Sequence, residues 1–159
     1  MRKNPVHESK INMTNTSTSL DLNIKDSKIL VVDDAEANLR LLEELLAKEG
    51  FNQVVSTADP TSVIDLYTAF EPDLIMLDLM MPELDGYSIL TLLAKRIPAN
   101  TYLPIIVLTA DATIQAKRKA LALGAKDFLT KPFDTIEVML RVWNLLETRS
   151  LYKILSHQS

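Results

Sequence analysis

The chain has 159 residues, a length typical of one domain, and its 47% hydrophobic and 24% charged residues are typical of a folded globular protein. Its 21 acidic and 17 basic residues give a net charge of −4, which disfavours direct binding to nucleic acid because there is no basic excess to face phosphate backbones. The chain has no cysteine, which excludes disulfides and thiolate metal sites, and its two histidines, His7 and His157, lie near the ends and predict no histidine metal site.

The N-terminal region differs in composition from the rest of the chain. Residues 12–19 are rich in Asn, Thr and Ser and offer almost no periodic apolar face, which predicts a flexible tail over residues 1–26. Arg2 and Lys3 are not followed by the apolar segment of a signal peptide, and no apolar run approaches the roughly 20 residues that span a bilayer. We therefore expect a soluble, cytoplasmic protein that does not insert into membranes.

From Lys28 onward, short apolar runs alternate with longer segments of helical spacing, which is the pattern of βαβ units. The five predicted strands contain residues 29–32, 54–55, 74–77, 105–108 and 127–129, and a helix is predicted after each of them. Because crossovers between parallel strands are almost always right-handed, the expected fold is α/β. It is a doubly wound five-stranded parallel sheet in the flavodoxin-like order 2-1-3-4-5, with helices on both faces.

Polar residues follow four of these strands where each strand ends. Asp33 and Asp34 follow the first strand, Asp78 the third, Thr109 the fourth and Lys131 the fifth. The carboxyl ends of parallel strands share one crevice, so these side chains can meet there. Clustered carboxylates raise one another's proton affinity unless a cation is present, and an all-oxygen ligand set suits Mg²⁺. The pattern therefore predicts a site at which a carboxylate receives a phosphoryl group, although each residue alone is also compatible with a solvated turn or a capping role.

Four motifs resemble those of a known family. They are Ile-Leu-Val-Val-Asp-Asp at 29–34, Asp-Leu-Met-Met-Pro-Glu-Leu-Asp-Gly at 78–86, Leu-Thr-Ala at 108–110 and Leu-Thr-Lys-Pro-Phe at 129–133. Over about residues 28–146 the chain resembles the receiver (phosphoacceptor) domain of bacterial two-component response regulators. The resemblance implies a receiver domain over residues 27–146, followed by a C-terminal helix extension or linker over residues 147–159.

The resemblance also implies the chemistry of the site. Asp78 would accept the phosphoryl group from a sensor histidine kinase or a phosphotransfer protein. Asp34 and Asp78 would bind Mg²⁺ directly, Met80 through its backbone carbonyl and Asp33 through water. Such a domain is a phosphoacceptor that later loses its phosphoryl group to water, and is not an enzyme in the ordinary sense.

The remaining implied roles concern the response to phosphorylation. Thr109 and Lys131 would hold phosphoryl oxygens, and the Lys131–Pro132 peptide would be cis. Thr109 and Phe128 would form a conformational switch that alters the surface of the fourth helix, the fifth strand and the fifth helix. A homodimer through the fourth and fifth helices is a further expectation.

The C-terminal segment predicts a helix from Asp134 to about Leu155, because no glycine or proline interrupts it. Its expected core stripe is Ile136, Met139, Leu140 and Trp143. Leu151, Ile154 and Leu155 are expected either to project beyond the sheet or to belong to a frayed tail. Residues 145–153 also resemble linkers that join receivers to output domains. The chain is therefore also compatible with an excised receiver of a larger regulator that carries a cyclic-di-GMP phosphodiesterase-type output domain.

Two other functions stay open. A pseudo-receiver that only mediates dimerisation would keep the fold without the phosphoryl chemistry. A phosphatase of the haloacid dehalogenase type also uses an aspartyl nucleophile, but it carries a second acidic residue two positions later, where this chain has Met80.

Overall fold

The computed structural model describes residues 23–82 and 85–158. In these ranges a single parallel sheet has the strand order β2-β1-β3-β4-β5, which confirms the predicted topology. The strands are β1 (Lys28–Val32), β2 (Gln53–Thr57), β3 (Leu74–Asp78), β4 (Ile105–Thr109) and β5 (Asp127–Thr130). The helices are α1 (Glu36–Lys48), α2 (Val63–Phe70), α3 (Gly86–Arg96), α4 (Ile114–Ala122) and α5 (Thr135–Gln158).

Two apolar cores lie on opposite faces of the sheet because successive strand residues point to opposite sides. Ile29 and Val31 of β1 belong to the core that α1 and α5 cover, whereas Leu30 and Val32 belong to the core that α2, α3 and α4 cover. The central strands are therefore buried on both faces, as their continuous apolar runs predict. Because β1 and β3 are buried on both faces and pair with each other, their carboxyl ends are held next to each other.

Helix α5 buries only part of the predicted stripe: Met139 is buried and Trp143 packs against the core. Ile136 and Leu140 are 72% and 59% exposed, so their assignment to the core is wrong. The buried residues of this helix are Val138, Met139, Val142 and Leu146. Apolar residues occur on more than one side of α5, so the spacing alone could not select the buried side, and the contact with the sheet selects it.

The loop after β3 is held against the start of α3 by two adjacent residues. The Asp85 side chain caps α3 by accepting a hydrogen bond from the Tyr87 N–H at 3.1 Å. A Cβ at Gly86 would lie 2.4 Å from the Cα of Leu79, so a side chain at this position requires the backbone to move. The close approach holds the start of α3 against the backbone of Asp78 and Leu79.

The residues just before the predicted start of the receiver domain at residue 27 also contact the core. Ile24–Asp26 form a 3₁₀ turn, and the Ile24 side chain packs against the core between the sheet and helices α1 and α5. Residues 1–22 of the predicted tail lie outside the described residues. Within the described ranges, no helix is both long and apolar enough to cross a membrane.

Candidate functional site

Three carboxylates meet at the carboxyl ends of β1 and β3, which are adjacent strands. Asp33, Asp34 and Asp78 each offer an oxygen atom within 4.8 Å of the others. Asp33 and Asp78 are fully buried, whereas Asp34 is accessible to solvent. The sequence thus placed these residues at the right strand ends, and the pairing of β1 with β3 brings them together.

Asp33 is fixed by contacts with the start of α1. Its Oδ1 accepts a hydrogen bond from the Ala35 N–H at 2.9 Å, and the Asn38 side-chain amide lies 3.3 Å from Oδ2. The sequence analysis did not identify Asn38. The available signal was an amide in the first turn of α1, five residues after Asp33, where a helix that starts at the strand end can turn a side chain back toward the strand.

Lys131 lies between two of the carboxylates. Its Nζ is 3.1 Å from Asp33 Oδ2 and 3.2 Å from Asp78 Oδ1, and the Lys131–Pro132 peptide is cis. Burial favours the neutral amine, but the hydrogen bonds and charges of Asp33 and Asp78 outweigh it and raise the pKa of Lys131 above its usual value. Lys131 therefore stays positively charged and offsets part of the carboxylate charge.

Asp78 has one bonded oxygen and one free oxygen. Its Oδ1 accepts a hydrogen bond from the Met80 N–H at 3.0 Å, whereas its buried Oδ2 has no hydrogen-bond partner within the described part of the chain. Burial raises the pKa of Asp78 to about 6; Asp33 and Asp34 add to this rise, and the Met80 N–H and Lys131 oppose it. A buried polar atom without a partner is uncommon in folded proteins, so Oδ2 marks a place for a cation or a reacting group.

The residues present fit a hard divalent cation. The clustered candidate ligands are carboxylate oxygens, which Mg²⁺ prefers, and they include the unpaired Oδ2 of Asp78. A cation here would also offset the burial and the Asp33 charge that raise the pKa of Asp78. Mg²⁺ keeps several waters in such sites. Beside Asp34 the crevice opens into a cavity of about 270 Å³, lined also by Ala58, Asp59, Pro60 and Pro82, which has room for a hydrated ion.

Thr109 and Phe128 lie on the next two strands. The Thr109 side chain is buried at the end of β4, and its Oγ1 accepts a hydrogen bond from the Asp111 N–H at 2.9 Å. This bond uses the oxygen as an acceptor, so the hydroxyl proton can be donated to another group. Phe128 is half-buried on β5, and the Lys117 ammonium of α4 lies 4.5 Å from the centroid of its ring.

Comparisons with known proteins identify the family of the chain. The family model of the response regulator receiver domain matches residues 29–142. Over 120 residues the chain is 41% identical to the response regulator PleD of Caulobacter vibrioides, covering 75% of this chain and 26% of that protein. It is 38% identical over 125 residues to the probable transcriptional regulator ycf27 of Cyanophora paradoxa, covering 79% of this chain and 50% of that protein.

Solved structures give the same result. The receiver domain of the Francisella response regulator 1452 superimposes with a TM-score of 0.70 at 32% identity, covering 77% of this chain and 98% of that domain. NtrX from Brucella abortus superimposes with a TM-score of 0.75 at 29% identity, covering 84% of this chain and 30% of that protein. The chain spans half or less of the length of the two curated relatives, so it corresponds to one part of those proteins.

Proposed function

This chain belongs to the response regulator receiver domain family, and on that premise we propose that it accepts a phosphoryl group on Asp78 in a Mg²⁺-dependent reaction. The donor is a sensor histidine kinase or a phosphotransfer protein. The environment of Asp78 supports this role most directly. Asp78 is buried beside Lys131, Asp33 and Asp34, and its Oδ2 has no hydrogen-bond partner in the described part of the chain.

In the proposed transfer, Asp78 Oδ2 attacks the phosphorus of a phosphohistidine. A new O–P bond forms, the N–P bond to the donor imidazole breaks, and the imidazole keeps the electron pair and takes up a proton from solvent. Catalysis of this step depends mainly on alignment and on neutralising charge. Lys131 offsets charge on the transferred group, and the Met80 N–H holds Oδ1 so that Oδ2 faces the donor. When bound by Asp34 and Asp78, Mg²⁺ supplies further neutralisation of the phosphoryl oxygens.

Intact mass spectrometry tests this proposal. The wild-type chain should gain the mass of one phosphoryl group after incubation with acetyl phosphate and Mg²⁺, and should gain none when EDTA is present. Asp78→Asn should gain none in either condition. Asp73→Asn is the matched control because Asp73 lies at the opposite end of β3, and it should be modified like the wild type. A wild-type chain that gains no mass, or an Asp78→Asn chain that does, contradicts the proposal.

We also propose that Thr109 and Phe128 respond to the phosphoryl group. Thr109 would donate its hydroxyl proton to a phosphoryl oxygen and move toward Asp78, which would let the Phe128 ring turn inward. Fluorine NMR of a chain that carries 4-fluorophenylalanine at position 128 tests this motion. The signal should shift when a phosphoryl mimic such as beryllofluoride is added. An unchanged signal with demonstrated beryllofluoride binding contradicts the switch.

Exposed apolar side chains favour a dimer as part of the response. Ile114 and Leu121 of α4, and Ile136 and Leu140 of α5, are between 45% and 72% exposed. A second copy of the domain that packs on these helices would cover them. Light scattering with and without a phosphodonor tests this, and an increase in mass that Ile114→Ser abolishes is the expected result. A dimer that forms equally well without Asp78 phosphorylation would favour the pseudo-receiver alternative.

A further inference from the structure

Helix α5 continues well beyond the part that covers the sheet. Up to residue 156, Leu146 is the last fully buried residue of the helix, whereas the helix runs to Gln158. A solvent-exposed helix end of this length is expected to fray, because isolated short helices are only marginally stable in water. Contacts with the body of the domain are therefore needed to keep the last turns ordered.

Asp73 provides such contacts from the amino end of the sheet. It directly precedes β3, and its Oδ2 accepts a hydrogen bond from the Lys28 N–H of β1 at 2.9 Å. Its Oδ1 accepts from Arg149 Nε at 3.1 Å and from Lys153 Nζ at 3.3 Å. One carboxylate thus joins β1 and the start of β3 to two residues of the α5 extension.

The segment before β4 adds a second set of contacts. Arg149 Nη1 donates to the Tyr102 carbonyl oxygen at 2.8 Å. The Tyr102 and Tyr152 rings stack with their centroids 4.7 Å apart and their planes 10° from parallel. We call the set Asp73, Tyr102, Arg149, Tyr152 and Lys153 the C-terminal clamp.

The clamp residues of α5 share one side of the helix. Arg149, Tyr152 and Lys153 are spaced three and four residues apart, so they lie on one face. Leu151 and Leu155 are four residues apart on the other side, and they are 45% and 61% exposed. The clamp therefore determines which side of the extension faces the domain and which side faces solvent.

We propose that Asp73 is a positioning residue that holds the α5 extension to the sheet and sets its direction. The side chains of Asp73 and Arg149 are 13% and 15% exposed, so the ion pair is largely sheltered from water. Removal of either partner leaves the other charge poorly compensated. Because the anchors lie on β1, β3 and the segment before β4, the extension moves with the sheet as one body and presents Leu151 and Leu155 in a fixed orientation.

Hydrogen exchange of the full chain tests the clamp. Arg149→Met removes the ion pair and the bond to Tyr102 but leaves the Lys28 bond to Asp73 intact. Exchange of amides in residues 150–158 should become about tenfold faster or more than in the wild type. Arg141→Met is the matched control on the same helix, because it breaks ion pairs with Asp127 and Glu137 far from the clamp. Equal exchange of residues 150–158 in the wild type and Arg149→Met overturns the proposal.

A distance measurement tests the fixed direction. The native chain has no cysteine, so Asp65→Cys and Leu155→Cys together accept two spin labels without competing sites. The distribution of distances between the labels should be narrow in this background and in the Arg141→Met background. It should broaden or shift when Arg149→Met or Asp73→Asn is added. A distribution that stays narrow and unmoved in both clamp variants shows that the clamp does not direct the helix.

Discussion

Two aspartates border β3, and their environments are opposite. Asp73, at the amino end, bonds through both oxygens to Lys28, Arg149 and Lys153. Burial acts to raise its pKa, but these partners outweigh burial and hold the pKa below its usual value. Asp78, at the carboxyl end, has an oxygen without a partner, and burial raises its pKa to about 6. The first aspartate is compensated by its partners and the second is the proposed phosphoryl acceptor, although they lie only five positions apart in the chain.

The largest expected effect comes from removing the unfavourable charge at Asp78. Asp78→Asn should stabilise the metal-free domain at pH 7.5 by about 2 kcal/mol. A shift in pKa from 3.8 to about 6 corresponds to about 3 kcal/mol, and water on the open side near Asp34 screens part of it. Urea unfolding in the presence of EDTA measures the difference. A destabilised Asp78→Asn would show that Lys131 compensates the carboxylate more fully than we infer.

The pH dependence follows from the sign of the shift. Folding raises the pKa of Asp78, so its contribution to stability is fully present below pH 3.8 and is lost as the pH rises through about 6. The stability gap between Asp78→Asn and the wild type should therefore be small near pH 4 and widest above pH 7. Asp73 behaves oppositely: folding lowers its pKa, so its contribution is present above 3.8 and is lost at lower pH.

Substitutions at the amino end of β3 should destabilise the domain, which is the opposite of the effect expected for Asp78→Asn. Asp73→Asn and Arg149→Met should each destabilise the domain by about 1 to 2 kcal/mol, because each leaves a sheltered charged partner with fewer bonds. Arg141→Met, whose side chain is 39% exposed, should lower stability by less than about 0.5 kcal/mol. Thermal unfolding of the three variants at pH 7.5 measures the loss of stability in each. Equal losses of stability in Arg149→Met and Arg141→Met would show that the sheltered ion pair contributes no more than the exposed one.

Mg²⁺ should stabilise the domain through the aspartates at the carboxyl end of β3 and not through Asp73 at its amino end. At a concentration about ten times its dissociation constant, Mg²⁺ should stabilise the wild type by about 1.4 kcal/mol. The effect should be smaller at pH 5.5 than at pH 7.5, because Asp78 must lose its proton to bind the ion. It should be largely lost in Asp78→Asn and Asp34→Asn and retained in Asp73→Asn. Unfolding midpoints with and without Mg²⁺ test this, and retention in Asp78→Asn would argue against the site.

The smallest expected effects concern the lifetime of the phosphorylated state. The Met80 side chain is 59% exposed beside Asp78, and the Asp111 N–H contacts Thr109 Oγ1, so both residues border the proposed path of the hydrolytic water. Met80→Asn and Asp111→Ala should each change the rate of phosphoryl loss severalfold, equivalent to about 1 kcal/mol in the barrier. Decay of the phosphorylated mass measures the rate. Arg149→Met is the control, and unchanged decay in both site variants contradicts the prediction.

The strands and the polar residues at their ends can be predicted from the sequence, because the patterns that mark them lie within a few neighbouring residues. Continuous apolar runs predicted β1, β3 and β4, and the polar residue after each run was expected in the shared crevice. Helix α5 shows the limit of such signals. Its length was nearly correct, but the buried side was wrong at Ile136 and Leu140, because an apolar pattern on more than one side of a helix does not identify the side that meets the sheet.

What the sequence determined by itself was the order of strands and helices, the strand order of the sheet and the identity of the residues at the strand ends, since these follow from periodicity and from the handedness of crossovers. The tertiary structure decided the contact of Asn38 with Asp33, the clamp on Asp73 and the high pKa of Asp78. These features depend on burial and on distances between residues far apart in the chain. Neither quantity exists until the strands and helices have packed together.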